Sequence, residues 1–103
     1  MNAKEEFLSK VSMEQVICAY ICSMDDYGDE PPRQNAILKK GFTEEDWNAF
    51  LKQIDFNYNN GFGGQELDGC IWLTNNQWYD RGEYDGSEWW QFHSYPEIPV
   101  SLL

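Results

Sequence analysis

Apolar side chains in the first half of the chain recur at helical spacing, and those in the second half alternate. Residues 3–10 predict a short opening helix. Ser12 then reads as an N-cap, with Gln15 three positions on completing a capping box. Val16, Ile17, Tyr20, Ile21 and Met24 follow at the helical period, which predicts a helix over about 13–24 with Cys18 and Cys22 on one face. Asp25–Pro32 is an acidic loop stiffened by Pro31 and Pro32, and a short helix or turn is expected over Gln34–Lys40, ended by Gly41. Thr43 is a second N-cap signal. Glu44, Glu45 and Asp46 after it suit the positive end of a helix dipole, and Trp47, Phe50, Leu51 and Ile54 form the apolar face.

After the turn-rich stretch Asn57–Gly64 the period changes. Leu67, Ile71 and Leu73 alternate with polar or amphipathic neighbours, Asn75-Asn76 reads as a two-residue turn, and Gln77–Tyr84 as a second strand. Asp85-Gly86 is a strong type I′ hairpin signal before a third strand at Ser87–His93, and Pro96 and Pro99 end regular structure. The expected architecture is α+β: N-terminal helices packed on a C-terminal three-stranded antiparallel β-meander. Residues 1–103 form a single domain, helical over about 1–54 and a β-meander over about 65–95.

Two-residue turns fix a register. Asp85-Gly86 sets Glu83 opposite Glu88, Arg81 opposite Trp90 and Tyr79 opposite Phe92, while Asn75-Asn76 sets Trp72 opposite Tyr79 and Cys70 opposite Arg81. One face then carries Trp72, Tyr79, Phe92, Cys70, Arg81 and Trp90, extended by Asp68, Glu83 and Glu88 side by side. The other carries Leu73, Trp78, His93, Ile71, Asp80, Trp89 and Tyr84. Like charges directly opposite one another destabilise a sheet. The acids therefore mark a slipped register, a solvated edge, or a patch that meets a basic partner. The patch would comprise Asp68, Glu83, Glu88 and Trp90, with Asp85 in the turn beside them.

Composition sharpens the third alternative. Seven basic and eighteen acidic side chains give a net charge of −11. Residues 41–103 hold eleven of the acids against Lys52 and Arg81 alone. Such a surface lacks the basic footprint of a nucleic-acid binder or of a protein held on anionic membranes, and it attracts basic partners. Seventeen aromatic rings supply core material in a short chain, each removing about 150–250 Å² from water when buried. Three cysteines, an N-terminus charged within a few residues, and no long apolar run point to reduced thiols in the cytoplasm.

The patterns that could carry chemistry are incomplete. Asp55, Asn57 and Asn59 occupy positions one, three and five of a calcium-type loop, with Glu66 at position twelve, and alternating oxygens at that spacing suit a hard cation. Asn60 stands where such loops need glycine, however, and Leu67–Leu73 reads as strand where an exit helix belongs. The alternative is a plain Asn/Gly turn. Cys18, Cys22, Cys70 and His93 lack the paired spacing of a zinc site. No nucleophile motif accompanies His93, and Glu83 with Glu88 has no evident sugar cleft. Gly61-Phe62-Gly63-Gly64 precedes a strand in an acidic setting, unlike a phosphate cradle. An enzyme is not expected.

The segments Gly61–Leu67, Ile71-Trp72, Arg81–Trp90 and Pro96–Pro99 resemble small acidic proteins of phages and mobile elements, a group that includes anti-CRISPR inhibitors; the likeness covers about residues 50–100. That resemblance implies an inhibitor of an RNA-guided nuclease, acting in the cytoplasm of a bacterial host. It implies no particular functional residues, because such inhibitors share no motif. The leading expectation is an acidic inhibitor that blocks a basic nucleic-acid-binding protein. A calcium-dependent binding module and a structural or assembly protein are the alternatives.

Overall fold

A computed structural model gives the fold; it describes residues 1–23, 35–58, 67–84, 87–95 and 99–102. The order of elements is α1 (Ala3–Lys10), β1 (Val16–Ser23), β2 (Asn35–Leu38), α2 (Glu44–Gln53), β3 (Leu67–Leu73), β4 (Gln77–Tyr84) and β5 (Ser87–Ser94), with a 3₁₀ turn at Val100–Leu102. The strands form one antiparallel sheet in the order β2-β1-β3-β4-β5. This corrects the expected N-terminal helices on a three-stranded meander: two of the five strands come from the part read as helical.

Both helices begin as the sequence implies. Asn2 caps α1, its side chain accepting the Glu5 N–H at 3.0 Å. Thr43 and Asp46 close a reciprocal capping box at α2, with bonds of 3.2 and 3.0 Å. The capping box expected at Ser12 and Gln15 also forms in part, since the Gln15 amide oxygen accepts the Ser12 N–H at 3.0 Å. It closes a single turn rather than a helix. The Gln15 carbonyl then accepts the Thr74 N–H across the fold, and the chain extends. From Val16 to Cys22 every residue but Ala19 is β-branched, aromatic or cysteine, which are weak helix formers and suit a pleated surface. The expected helix over 13–24 is therefore β1, paired on both sides, and the expected helix or turn over Gln34–Lys40 contains β2.

The second correction concerns register. Leu73 pairs with Gln77, so Thr74, Asn75 and Asn76 make a three-residue loop instead of a two-residue turn. Asn75 and Asn76 both adopt the left-handed conformation, at φ 64° and 58°, which asparagine tolerates better than most residues. The extra loop residue slips β3 by one against β4 and turns each of its side chains to the other face. Ile71, not Trp72, lies opposite Tyr79. Between β4 and β5 the expected pairs are found, including Glu83 with Glu88, Arg81 with Trp90 and Tyr79 with Phe92.

Both helices pack on the same face of the sheet. Phe7 and Val11 of α1 and its end, with Trp47, Phe50 and Ile54 of α2 and its end, join Ala19, Ile21, Leu38, Ile71, Leu73 and Trp90 in one core. Phe7 sits 5.5 Å from Trp47 and 5.4 Å from Phe50, centroid to centroid, so aromatic pairs bridge the two helices. A bulge between Val16 and Cys18 lets Val16 keep its place in the core opposite Leu73. No helix among the described residues is long and apolar enough to cross a membrane.

Candidate functional site

Two constellations stand out, one sealed inside the fold and one laid open on it. The sealed one centres on Arg81, whose side chain has no exposed surface. Its guanidinium donates to Glu88 and to Glu6, the latter at 3.2 Å, and to the Tyr58 hydroxyl at 3.1 Å. The Tyr58 hydroxyl in turn donates to Glu6, and Glu88 accepts the Leu67 N–H at 3.0 Å. The guanidinium also lies over the Trp90 ring at 4.7 Å and near the Tyr58 ring at 5.7 Å. Burial alone would lower the Arg81 pKa, but the bond to Glu88 and the charge of Glu6 outweigh it and raise it, so the cation persists. Burial, and then the bond to Glu6, push the Tyr58 phenol up. The cluster fastens α1 and the segment after α2 to the β4–β5 end of the sheet. Its closed geometry, with the Arg81 and Glu88 side chains wholly enclosed, gives a substrate no approach.

This arrangement redistributes the acidic patch expected from the sequence. Glu88 is 3% exposed and Trp90 4%, so both belong to the interior. Glu83 is exposed on the same side of β4 as Arg81. Asp68 falls on the opposite face, beside Cys22, because of the slip in β3. Asp85 lies outside the described residues. The calcium-type loop is also only partly in view, since Asn59 and Glu66 lie outside them. Asp55 and Asn57 hold the N-terminus instead: Asn2 donates to Asp55 at 3.0 Å and Asn57 at 3.3 Å, and Lys4 to Asp55 at 3.3 Å. The bond from Asn2 and then Lys4 lower the Asp55 pKa.

The open constellation is the other face of the sheet, over which no described helix packs. An antiparallel sheet wetted on one side normally shows polar residues there. Here the cross-strand rows read Cys18–Trp72–Trp78–His93, then Ile37–Tyr20–Cys70–Asp80–Gln91, then Asn35–Cys22–Asp68, with Gly82–Trp89 beyond. Ile37, Tyr20, Trp72, Trp89 and Tyr84 are all more than a third exposed. Trp78 stacks on His93 at 5.0 Å and meets Tyr95 at 4.8 Å, while Tyr20 lies 6.1 Å from Trp72. Trp89 lies flat across Gly82, where a Cβ would come within 2.7 Å of the indole.

Among the described residues this face carries two carboxylates, Asp68 and Asp80, and no lysine or arginine. His93 Nε2 is 2.8 Å from Asp80. The three cysteines are free thiols. Burial, followed by the charge of Asp68, raises the Cys22 pKa, and burial, followed by Asp80, raises that of Cys70. Thiols held protonated are poor nucleophiles. Among the described residues no three His, Cys, Asp or Glu side chains group as a metal site. A groove of about 370 Å³ opens at the β3–β4 end, lined by Ile17, Cys18, Trp72, Trp78 and Tyr95, with Asn75, Asn76 and Gln77 at its head.

Sequence reasoning placed Trp78, Asp80, Tyr84, Trp89 and His93 on one face but missed the rest of it, because it assigned β1 to a helix and slipped β3. The alternation of Leu67, Ile71 and Leu73 was the available signal: these aliphatics belong under the helices, which sends Trp72 outward. The chain matches no protein-family model, and neither curated proteins nor solved structures gave a match.

Proposed function

We propose that the chain is a non-catalytic binding protein whose open aromatic sheet face docks on a basic, nucleic-acid-binding partner and blocks it. The observation that carries this reading is a sheet over which, among the described residues, helices pack on one side only, while the other side holds exposed tryptophan and tyrosine with two carboxylates and no lysine or arginine. Contiguous exposed apolar surface marks interaction sites, and tryptophan and tyrosine dominate interface energetics. The net charge of −11 selects for a basic partner and speeds the encounter. The same charge opposes a second copy of this chain as the occupant. Within this reading Asp68 keeps the role expected of it and Asp80 joins it, whereas Glu88 and Trp90 act from inside by holding β4 and β5 in register.

The resemblance to small acidic phage proteins supplies the partner to test first, an RNA-guided nuclease with its guide inside a bacterial cell. Binding is measured at low and at moderate salt, with and without duplex DNA. The expected result is a complex that weakens with salt, is displaced by DNA, and is lost in Trp72→Ala/Asp68→Asn. If no basic nucleic-acid-binding protein is held at low salt, or if that variant binds as the parent does, the proposal fails. A mass that doubles with concentration and persists in high salt would instead assign the open face to a homodimer.

A further inference from the structure

The groove at the β3–β4 end has a chemistry of its own, and three observations bear on what it holds. Its walls are formed by Trp72, Trp78 and Tyr95, with Ile17 beside them. At its head lie Asn75, Asn76 and Gln77, a turn whose amide and carbonyl oxygens can accept hydrogen bonds. Among the described residues no lysine or arginine lines it, and the chain as a whole is strongly negative.

Aromatic faces attract cations through the ring quadrupole. A strongly hydrated ammonium gains little in a mostly apolar cleft. A guanidinium is flat, weakly hydrated, stacks on indole and donates several hydrogen bonds in a fixed fork. An aromatic groove on an acidic protein thus favours arginine over lysine and over a neutral side chain. The turn that forms the head has both asparagines in the left-handed conformation, and the Tyr95 N–H donates to the Asn76 carbonyl at 2.9 Å, so the same short loop anchors Tyr95 beside Trp78.

We infer that this groove is an arginine-binding pocket, in which a guanidinium from the partner stacks on Trp72 beside the Trp78–Tyr95 pair and donates to oxygens of the Asn75-Asn76 turn. The inference rests on the proposed function and narrows it. The open face is then not uniformly adhesive: Asp68 and Asp80 attract a basic surface, and the groove chooses which of its cations to seat.

The test uses the intact chain carrying Cys22→Ser and Cys70→Ser, which leaves Cys18 in the groove as a reporter thiol. Two probes of equal length and charge are titrated in low salt, an arginine–glycine–serine repeat peptide and its lysine counterpart. The readouts are tryptophan fluorescence, the indole N–H signals in NMR spectra, and the rate of Cys18 alkylation. The arginine peptide is expected to bind about tenfold tighter than the lysine peptide, the ratio set by one desolvated cation–π contact. It should shift the signals of Trp72 and Trp78 and protect Cys18. Tyr95→Ala, at a residue 68% exposed and so tolerant of change, should lose about tenfold for arginine and little for lysine. Equal affinity for both peptides, lowered alike by salt and by Asp68→Asn, would overturn the pocket and leave the proposed function standing. Shifts confined to Trp89 would overturn it in the same way, by placing the cation elsewhere on the face. Failure of both peptides to bind in low salt would remove the inference together with the reading beneath it.

Discussion

Arg81→Ala tests the reading of the interior. The guanidinium is enclosed, with no exposed surface, between Glu88, also without exposed surface, and Glu6, whose side chain is 8% exposed. Removing it leaves Glu6 and Glu88 without the guanidinium they share, in a space that water cannot readily enter. Breaking a buried ion pair from one side costs about 3–5 kcal/mol, because the surviving charge stays desolvated. Loss of the stacking over Trp90 and the cavity left behind act in the same direction. A domain of this size holds about 5–15 kcal/mol in all, so the change removes a large share. At about 4–8 °C per kcal/mol, the melting temperature falls by roughly 12 °C or more. Urea unfolding followed by tryptophan fluorescence measures it, with the slope checked for two-state behaviour. Glu88→Gln is the control. It keeps an acceptor for the Leu67 N–H and for Arg81 while removing one negative charge, so it should cost about 1–2 kcal/mol. Arg81→Met combined with Glu88→Gln should recover part of the loss, since one anion leaves with the cation. If Arg81→Ala costs less than about 1 kcal/mol, the site is hydrated in solution and the description of a sealed clasp is wrong.

Two further changes probe other parts of the fold. Gly82→Ala would set a Cβ 2.7 Å from the Trp89 indole and 2.9 Å from Gln91 Oε1, so Trp89 must lift, at about 1–3 kcal/mol. Thermal unfolding reads the loss, and in a Trp89→Ala background it should largely vanish; simple additivity would contradict the contact. At alkaline pH the raised pKa values of Cys22, Cys70 and Tyr58 all act in one direction. Their contributions are complete below the ordinary values of 9.0 and 10.0 and are lost as pH rises through the higher folded values. Stability should therefore decline from about pH 9 upward, and Tyr58→Phe should flatten the part above pH 10; an unchanged slope in that variant would exclude Tyr58 as a source.

The parts of this fold legible in the sequence are those decided by neighbours in the chain. Thr43 caps α2, and β4 and β5 pair in the register that the sequence implies, because each depends on a few adjacent residues. The parts that were not legible depend on distant partners. Val16, Ile17, Tyr20 and Ile21 fit a helical period as well as a strand that pairs on both edges, and what decides between them is the presence of β3 some fifty residues on. The β3–β4 loop shows how much hangs on one residue. Asn75-Asn76 suits a two-residue turn by composition, yet adding Thr74 to the loop is what lets Leu67, Ile71 and Leu73 reach the helices. Burying those three side chains yields about 1.5–3 kcal/mol each, which outweighs any local preference between the turns. The same one-residue slip carries Asp68 away from Glu83 and Glu88 and brings Trp72 out beside Tyr20 and across from Trp78. An acidic strip thereby becomes an aromatic face with acids upon it. What this surface can recognise is thus a consequence of strand register, and register here is set by the core on the opposite side of the sheet.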